Sequence, residues 1–281
     1  MLGSKSWLLK YWKHALNWLL GLQAILFPIF FSFMNRYWSA VALTLEPRLS
    51  TKWITNIAFL GNVISLPIPE TTFYLSNRSY NPTPPPLSTI LENILPSTNT
   101  KKNLSRGLQS SSGLVQHCTA LALSKCLTKF QRVMEKFREI ALALGEDDDG
   151  QWLKRCSEVE TEVRKRLPEF MVVVAFCQQM KQGSSLVHVN GQKKQALLAE
   201  SAQRLLWLYQ HGLPAIVSDT RFDVGKLLQT CYSTLKGDTN DEHEPDAVTK
   251  LYRVQQLHVL NILKDSDQFS WAVKSGTTFS S

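Results

Sequence analysis

The sequence has few cysteines, and their spacing is not that of a disulfide framework or a zinc ribbon. Its 281 residues include five cysteines, an odd number, and no two of them form a CxxC pair. A disulfide framework or a zinc ribbon needs paired cysteines at short intervals. We therefore expect free thiols in a reducing compartment. The five are Cys118, Cys126, Cys156, Cys177 and Cys231.

The sequence also lacks the motifs of the common enzyme classes. It contains no GxSxG elbow, HExxH helix, GxGxxG loop or GxxxxGK[ST] loop. Its six histidines are scattered, without a pair at metal-ligand spacing. The sequence therefore predicts a protein that is not an enzyme and that uses neither a cofactor nor a metal ion.

Alternation of polar and apolar residues, the pattern of a β-strand, is scarce. Apolar residues instead recur at helical spacing, and no strict repeat period survives self-comparison. The fold class is therefore predicted as all-α, a degenerate HEAT- or armadillo-like α-solenoid segment with long loops. The predicted helices cover residues 36–46, 50–65, 112–144, 151–167, 168–182, 192–212, 221–235 and 247–264.

Composition divides the chain into five regions. An apolar segment at 1–35 precedes a predicted helical pair at 36–66. Residues 67–110 are predicted to form a Pro- and Ser-rich loop with a short helix, because closely spaced prolines interrupt regular structure. Residues 111–273 are predicted to form a helical-repeat array, and residues 274–281 a polar tail.

The N-terminal region contains a long apolar run from Leu16 to Met34. The run has nearly the length of a membrane span, and three lysines precede it. Two polar residues and a proline interrupt it, and no clean cleavage site follows. Two interpretations stay open. We favour an apolar solenoid helix or an artefact of gene prediction, and the alternative is a membrane segment.

A histidine stands beside a cysteine in residues 110–137, which raises the question of a metal or catalytic site. At about 100° per residue, Cys126 falls near the middle of a broad apolar helix face and Cys118 at its edge. His117 falls on the opposite side, so His117 and Cys126 cannot bind one ion from a straight helix. The stretch is therefore predicted to pack in a core. Its buried face comprises Val115, Ala122, Leu123, Cys126, Leu127, Phe130, Val133, Met134 and Phe137.

Acidic residues are outnumbered by basic ones, which gives the chain a formal charge of +8. Such a charge favours polyanionic partners. Lys129, Arg132 and Lys136 fall within about one-quarter of the helix circumference. This stripe could contact RNA phosphates or could be a solvated helix surface, and both interpretations stay open. The candidate RNA contacts are Lys101, Lys102, Arg106, Lys125, Lys129, Arg132, Lys136 and Arg138.

Six segments in order carry a resemblance to a known family. They are EPRLSTKWITNIAFLGNVISLP, PPPLSTILENILP, SGLVQHCTALALSKCLTKFQRV, EVRKRLPEF, RFDVGKLLQ and LHVLNILKDSDQFSWAV. From about Arg36 onward, the chain resembles the nucleolar pre-ribosomal-associated protein 1 family of large ribosome-biogenesis scaffolds. Because the chain is far shorter than those proteins, it resembles a fragment or truncated form of the scaffold's N-terminal region.

The resemblance implies a non-catalytic, HEAT-like scaffold in the nucleolus, within the nucleus. Its implied role is early large (60S) ribosomal subunit biogenesis, with rRNA processing and pre-ribosome assembly. The implied partners are pre-ribosomal particle proteins, pre-rRNA, box C/D small nucleolar RNPs and a DEAD-box helicase module. The alternative function is a membrane-anchored helical adaptor protein, with residues 16–34 in the bilayer.

Overall fold

A computed structural model describes Trp38 and residues 45–68, 70–75, 79–182, 189–218 and 247–265. Several predictions lie outside the described residues. These are the apolar segment at 1–35, most of the predicted helix at 36–46, the predicted helix at 221–235 and the polar tail at 274–281.

The described residues are mostly helical, and they contain no strand apart from an isolated antiparallel bridge between Tyr74 and Tyr80. The all-α prediction is confirmed. The described helices are α1 (Thr51–Ile64), α2 (Leu87–Ile94), α3 (Lys101–Leu108), α4 (Gly113–Leu144), α5 (Gln151–Arg166), α6 (Phe170–Gln182), α7 (Val189–Gly212), α8 (Pro214–Ser218) and α9 (Ala247–Lys264).

Most helix ends lie within one residue of where the sequence predicts them. Helix α1 begins after Ser50, whose hydroxyl accepts a hydrogen bond from the Trp53 amide at 3.2 Å. Helix α9 has the predicted bounds, and α4 and α5 differ from theirs by one residue. The starts of α6 and α7 differ more. Helix α6 is predicted to begin at Pro168 but begins at Phe170, and α7 is predicted to begin at Gln192 but begins at Val189.

The region at 67–110 is more helical than its prolines suggest. It contains a 3-10 turn at Glu70–Phe73 and two helices, α2 and α3, where one short helix was predicted. Helix α2 begins directly after Pro86, and α3 begins after Thr100. The Thr100 hydroxyl accepts a hydrogen bond from the Asn103 amide at 3.2 Å, which satisfies one free donor of the first turn.

Helix α4 is central to a first compact unit, which ends at Glu169. Helices α1, α2, α3 and α5 pack against it. The predicted apolar face of α4 is buried throughout, so that prediction is confirmed. Phe137 of α4 meets Trp152 of α5 edge to face, with ring centroids 5.0 Å apart, and Phe73 lies 6.1 Å from Phe137. This aromatic cluster joins α4, α5 and the 3-10 turn.

The acidic turn between α4 and α5 ends the first helix and caps the start of the second. Gly145 adopts the left-handed conformation, with a φ of 66°, and its amide donates to the Leu142 carbonyl at 3.1 Å. The Glu146 amide donates to the Ala141 carbonyl at 3.0 Å. The Glu146 carboxylate then accepts from the Trp152 amide at 3.0 Å, at the start of α5. One glutamate therefore ends α4 and caps α5.

A second compact unit begins at Phe170 and includes α6, α7, α8 and α9. Helix α7 packs against the other three. The buried amide of Gln255 on α9 donates to the Ala196 carbonyl of α7 at 2.8 Å. The predicted array at 111–273 is therefore divided between two units, with the boundary between Glu169 and Phe170.

Candidate RNA-contact surface

Two of the predicted RNA contacts on α4 form hydrogen bonds with residues at the end of α1. Lys125 Nζ donates to Asn62 Oδ1 at 3.0 Å. Lys129 is only 8% exposed, and its Nζ donates to the carbonyl of Leu66, just beyond the end of α1. Both amines are used to join α4 to the end of α1. Lys129 is therefore not a free surface cation.

Lys136 is half-buried and belongs to a small polar cluster with Tyr80 and Glu139. Its Nζ donates to Glu139 Oε1 at 2.8 Å and to the Tyr80 hydroxyl at 3.4 Å, and it lies 5.5 Å from the Tyr80 ring centroid. The hydrogen bond to Glu139 raises the pKa of Lys136, and the same bond lowers the pKa of Glu139. The positive charge of Lys136 is therefore largely balanced by Glu139 within the protein.

Of the three predicted contacts on α3, two form ion pairs and one does not. Lys101 forms an ion pair with Glu169, and Arg106 Nη1 lies 2.6 Å from Glu46 Oε1. These surface pairs contribute little stability, and screening by water leaves their cations partly available to other anions. Lys102 is exposed and forms no ion pair within the part of the chain that the structure describes.

Arg132 and Arg138 on α4 are the other exposed candidates, and no carboxylate among the described residues pairs with them. Six residues separate them, which places them about 120° apart around the helix. The structure therefore leaves fewer unpaired cations than the sequence predicts. Of the eight predicted cations, Lys102, Arg132 and Arg138 are exposed without an ion pair in the described residues, and they do not form one continuous row.

Burial changes the electrostatics of Lys129 more than those of its neighbours. Desolvation, together with the positive charge of nearby Arg132, lowers the pKa of its amine to about 8. In the unfolded chain, the amine titrates near its ordinary value of 10.5. Between these two values, the unfolded chain binds more protons than the folded chain, so the free energy of unfolding rises with pH.

We expect this rise to disappear when Lys129 is replaced by methionine, which has a similar length and no charge. Between pH 7 and pH 10, the natural chain should gain about 2 kcal/mol of unfolding free energy relative to Lys129→Met. Urea unfolding of both full-length chains at the two pH values measures the difference. Replacing exposed Lys102 with methionine is the matched control and should leave the pH dependence unchanged. Parallel curves for the natural chain and Lys129→Met would contradict the burial of the amine.

The cysteines of the first unit behave as core residues. Burial raises the pKa of Cys126 to about 12 and that of Cys156 to about 11, and it also raises the pKa of Cys118. Because the thiolate is the reactive form, these thiols are poor nucleophiles near neutral pH. Cys177 is buried in the second unit. Within the described residues, no group of three or more His, Cys, Asp or Glu side chains could hold a metal ion.

The structure also brings together a polar cluster that the sequence analysis missed. Glu200 of α7 has a side chain only 4% exposed, and it accepts hydrogen bonds from Arg204 Nε at 2.8 Å and from His258 Nε2 of α9 at 3.1 Å. Burial raises the pKa of Glu200, but the hydrogen bond from His258 and the charge of Arg204 outweigh it, so the net shift is downward. This is a buried charge cluster between two packed helices.

An aromatic ring covers one side of this cluster. The His258 ring stacks on Trp207, with centroids 5.7 Å apart and an interplanar angle of 22°. Nδ1 of His258 is buried, and none of the residues that the structure describes forms a hydrogen bond with it. His258 lies 58 residues from Glu200. The spacing of Glu200 and Arg204 by one helical turn is therefore the one local signal of this cluster in the sequence.

Comparison with known proteins identifies no relative. No protein-family model, no curated protein and no solved structure matches the chain. None of the helices in the described residues combines the length and apolar character that crossing a bilayer requires.

Proposed function

We propose that the chain is a non-catalytic helical scaffold segment in early large (60S) ribosomal subunit biogenesis in the nucleolus. The observation that carries this proposal is the ordered set of segments that resemble the nucleolar pre-ribosomal-associated protein 1 family. Where the structure describes these segments, they lie mainly on α1, α2, α4 and α5 of the first unit and on α9 of the second. The resemblance therefore involves helices of both units.

The arrangement of the helices supports a scaffold of the HEAT or armadillo kind. Consecutive helices pack on each other in α4 and α5 and again in α6 and α7, as helical-repeat proteins require. We propose that these pairs are degenerate repeats of a solenoid. In such an array, one set of helix faces forms the core and the outer faces are left for partners.

The proposed mechanism is geometric. An extended helical surface holds pre-ribosomal proteins and RNA segments close together and raises their effective concentration for one another. By resemblance, the proposed partners include box C/D small nucleolar RNPs and a DEAD-box helicase module. The exposed cations Lys102, Arg132 and Arg138 are the proposed contacts with pre-rRNA phosphates, because they are exposed and no described carboxylate pairs with them.

Ultraviolet crosslinking of the tagged full chain in cells, followed by sequencing of the recovered RNA, tests this proposal. We expect precursors of large-subunit rRNA and box C/D small nucleolar RNAs. Replacing Lys102, Arg132 and Arg138 with glutamate should reduce their recovery about tenfold or more, since each phosphate contact contributes to affinity. The matched control replaces three other exposed lysines with glutamate, namely Lys52, Lys193 and Lys194, and should retain the RNA.

Two results would contradict parts of the proposal. Equal recovery from both triple variants would exclude the three cations as the RNA contact. Absence of ribosomal precursor RNA, together with absence of the tagged chain from nucleoli, would overturn the scaffold function itself.

The second candidate function is a membrane-anchored helical adaptor, and the apolar run from Leu16 to Met34 favours it. This run lies outside the described residues. Carbonate extraction of cell membranes distinguishes the two functions. An anchored adaptor stays with the membrane pellet, whereas the nucleolar scaffold is released.

A further inference from the structure

Helix α9 presents a row of exposed residues on the side that faces away from α7. Arg253, Leu257, Leu260 and Lys264 follow one another at intervals of four, three and four residues, so they lie on one stripe of the helix. All four are exposed. Leu257 is 58% exposed and Leu260 is 50% exposed, which is unusual for two leucines one turn apart.

The opposite side of α9 forms the contact with α7. Gln255, Val259, Ile262 and Leu263 are buried there, and Gln255 donates its amide hydrogen to α7. At 100° per residue, their mean direction is about 145° from that of the exposed row. The packing of the second unit therefore buries one face of α9 and leaves the leucine row exposed.

The formal charges on helix α9 itself have one sign. Helix α9 contains no aspartate or glutamate, and its basic residues include Arg253 and Lys264 at the two ends of the row. Both cations are exposed, and no described carboxylate pairs with either of them. About 16 Å of helix separates them, with the two leucines between. An occupant of this surface must therefore combine apolar contact in the middle with negative charge at both ends.

We infer that the row of Arg253, Leu257, Leu260 and Lys264 docks an acidic amphipathic helix of a partner protein. That helix carries adjacent apolar side chains flanked by aspartate or glutamate about three turns apart, and its apolar face packs on the two leucines. The inference rests on the proposed scaffold function only in that the partner belongs to the same assembly.

Charge and shape disfavour the other occupants. In an antiparallel pairing of two α9 helices, Arg253 of one copy would face Lys264 of the other at both ends, so the like charges would repel. RNA would engage the cations but would leave the two central leucines against a phosphate backbone, with no apolar partner. An acidic helix satisfies all four residues together.

Photocrosslinking in cells tests the inference with the full chain. The photoreactive amino acid p-benzoylphenylalanine replaces Leu257, and mass spectrometry identifies the crosslinked peptide. The matched control places the same group at Leu142, an exposed leucine of α4. We expect position 257 to capture a peptide with the acidic amphipathic pattern and position 142 not to capture it. Replacing Arg253 and Lys264 with glutamate should reduce the yield about tenfold, whereas Arg253→Lys should retain most of it.

Several outcomes would overturn the inference. They are a crosslinked peptide from a second copy of this chain, a crosslinked nucleotide, the same capture at position 142, or a yield that the charge reversal leaves unchanged. RNA recovery measured in the same cells separates the two proposals. Failure to capture the acidic peptide, with ribosomal precursor RNA retained, refutes the docking surface alone. Capture of the peptide without ribosomal precursor RNA and without nucleolar localisation refutes the scaffold function alone.

Discussion

Replacing Trp152 with alanine is expected to lower the unfolding free energy of the first unit by about 3 to 5 kcal/mol. The indole is fully buried and contacts Phe137 and Phe73 edge to face. Its Nε1 also donates to the Asn81 carbonyl at 3.0 Å. The substitution therefore leaves a large cavity where α4, α5 and the 3-10 turn meet, and it removes the donor of that carbonyl. Urea unfolding followed by circular dichroism measures the loss.

Trp152→Phe is the informative control. It keeps a ring in the aromatic cluster but removes the hydrogen bond to Asn81, so we expect a smaller cost, on the order of 1 to 2 kcal/mol. An alanine variant as stable as the phenylalanine variant would show that the cluster does not hold these elements together.

Replacing Glu200 with alanine is expected to lower the stability of the second unit by about 3 kcal/mol, because removing one partner of a buried charge cluster leaves the others uncompensated. His258 loses the acceptor of its Nε2 hydrogen bond, although Arg204 remains partly exposed and can turn toward water. The matched control is Glu158→Ala. Glu158 pairs with Arg155 at the surface of α5, and its loss should cost at most about 1 kcal/mol.

The same carboxylate should make the second unit sensitive to acid. Because the pKa of Glu200 is lower in the folded chain than its ordinary value of 4.5, its contribution to stability is complete above that value. The contribution is lost as the pH falls through the folded pKa. Thermal unfolding between pH 7 and pH 3 should therefore show a smaller acid-induced loss for Glu200→Gln than for the natural chain. Equal losses would mean that the cluster is not charged as described.

The sequence was sufficient to predict the elements whose signals are local. The apolar face of α4 repeats at helical spacing over many turns, and a glycine at position 145 ends it. Only one short helix is predicted in residues 67–110, where the structure has α2 and α3. A second local signal was present, because Thr100 is a good N-cap residue for α3, but the nearby prolines dominated the interpretation.

The sequence could not show which cations are free, because that depends on contacts between distant segments. Lys129 lies beside the apolar edge of α4, where a lysine can either extend into water or bury its stem. The Lys129 amine is held in the buried position by its hydrogen bond to the Leu66 carbonyl, 63 residues away along the chain. The pairing of Glu200 with His258 is likewise a product of the packing of α7 on α9. Neither contact leaves a periodic pattern in the sequence.

The buried thiols have a consequence for the timing of local opening. A covered thiol reacts with an alkylating reagent only after the surrounding helices separate, so at a reagent concentration high enough for alkylation to outpace reclosing, its labelling rate equals the opening rate. Cys126 and Cys156 lie in the first unit and Cys177 in the second. The chain therefore carries natural cysteines that report the opening of each unit. The two opening rates can be measured in one labelling time course without introducing a cysteine by mutation.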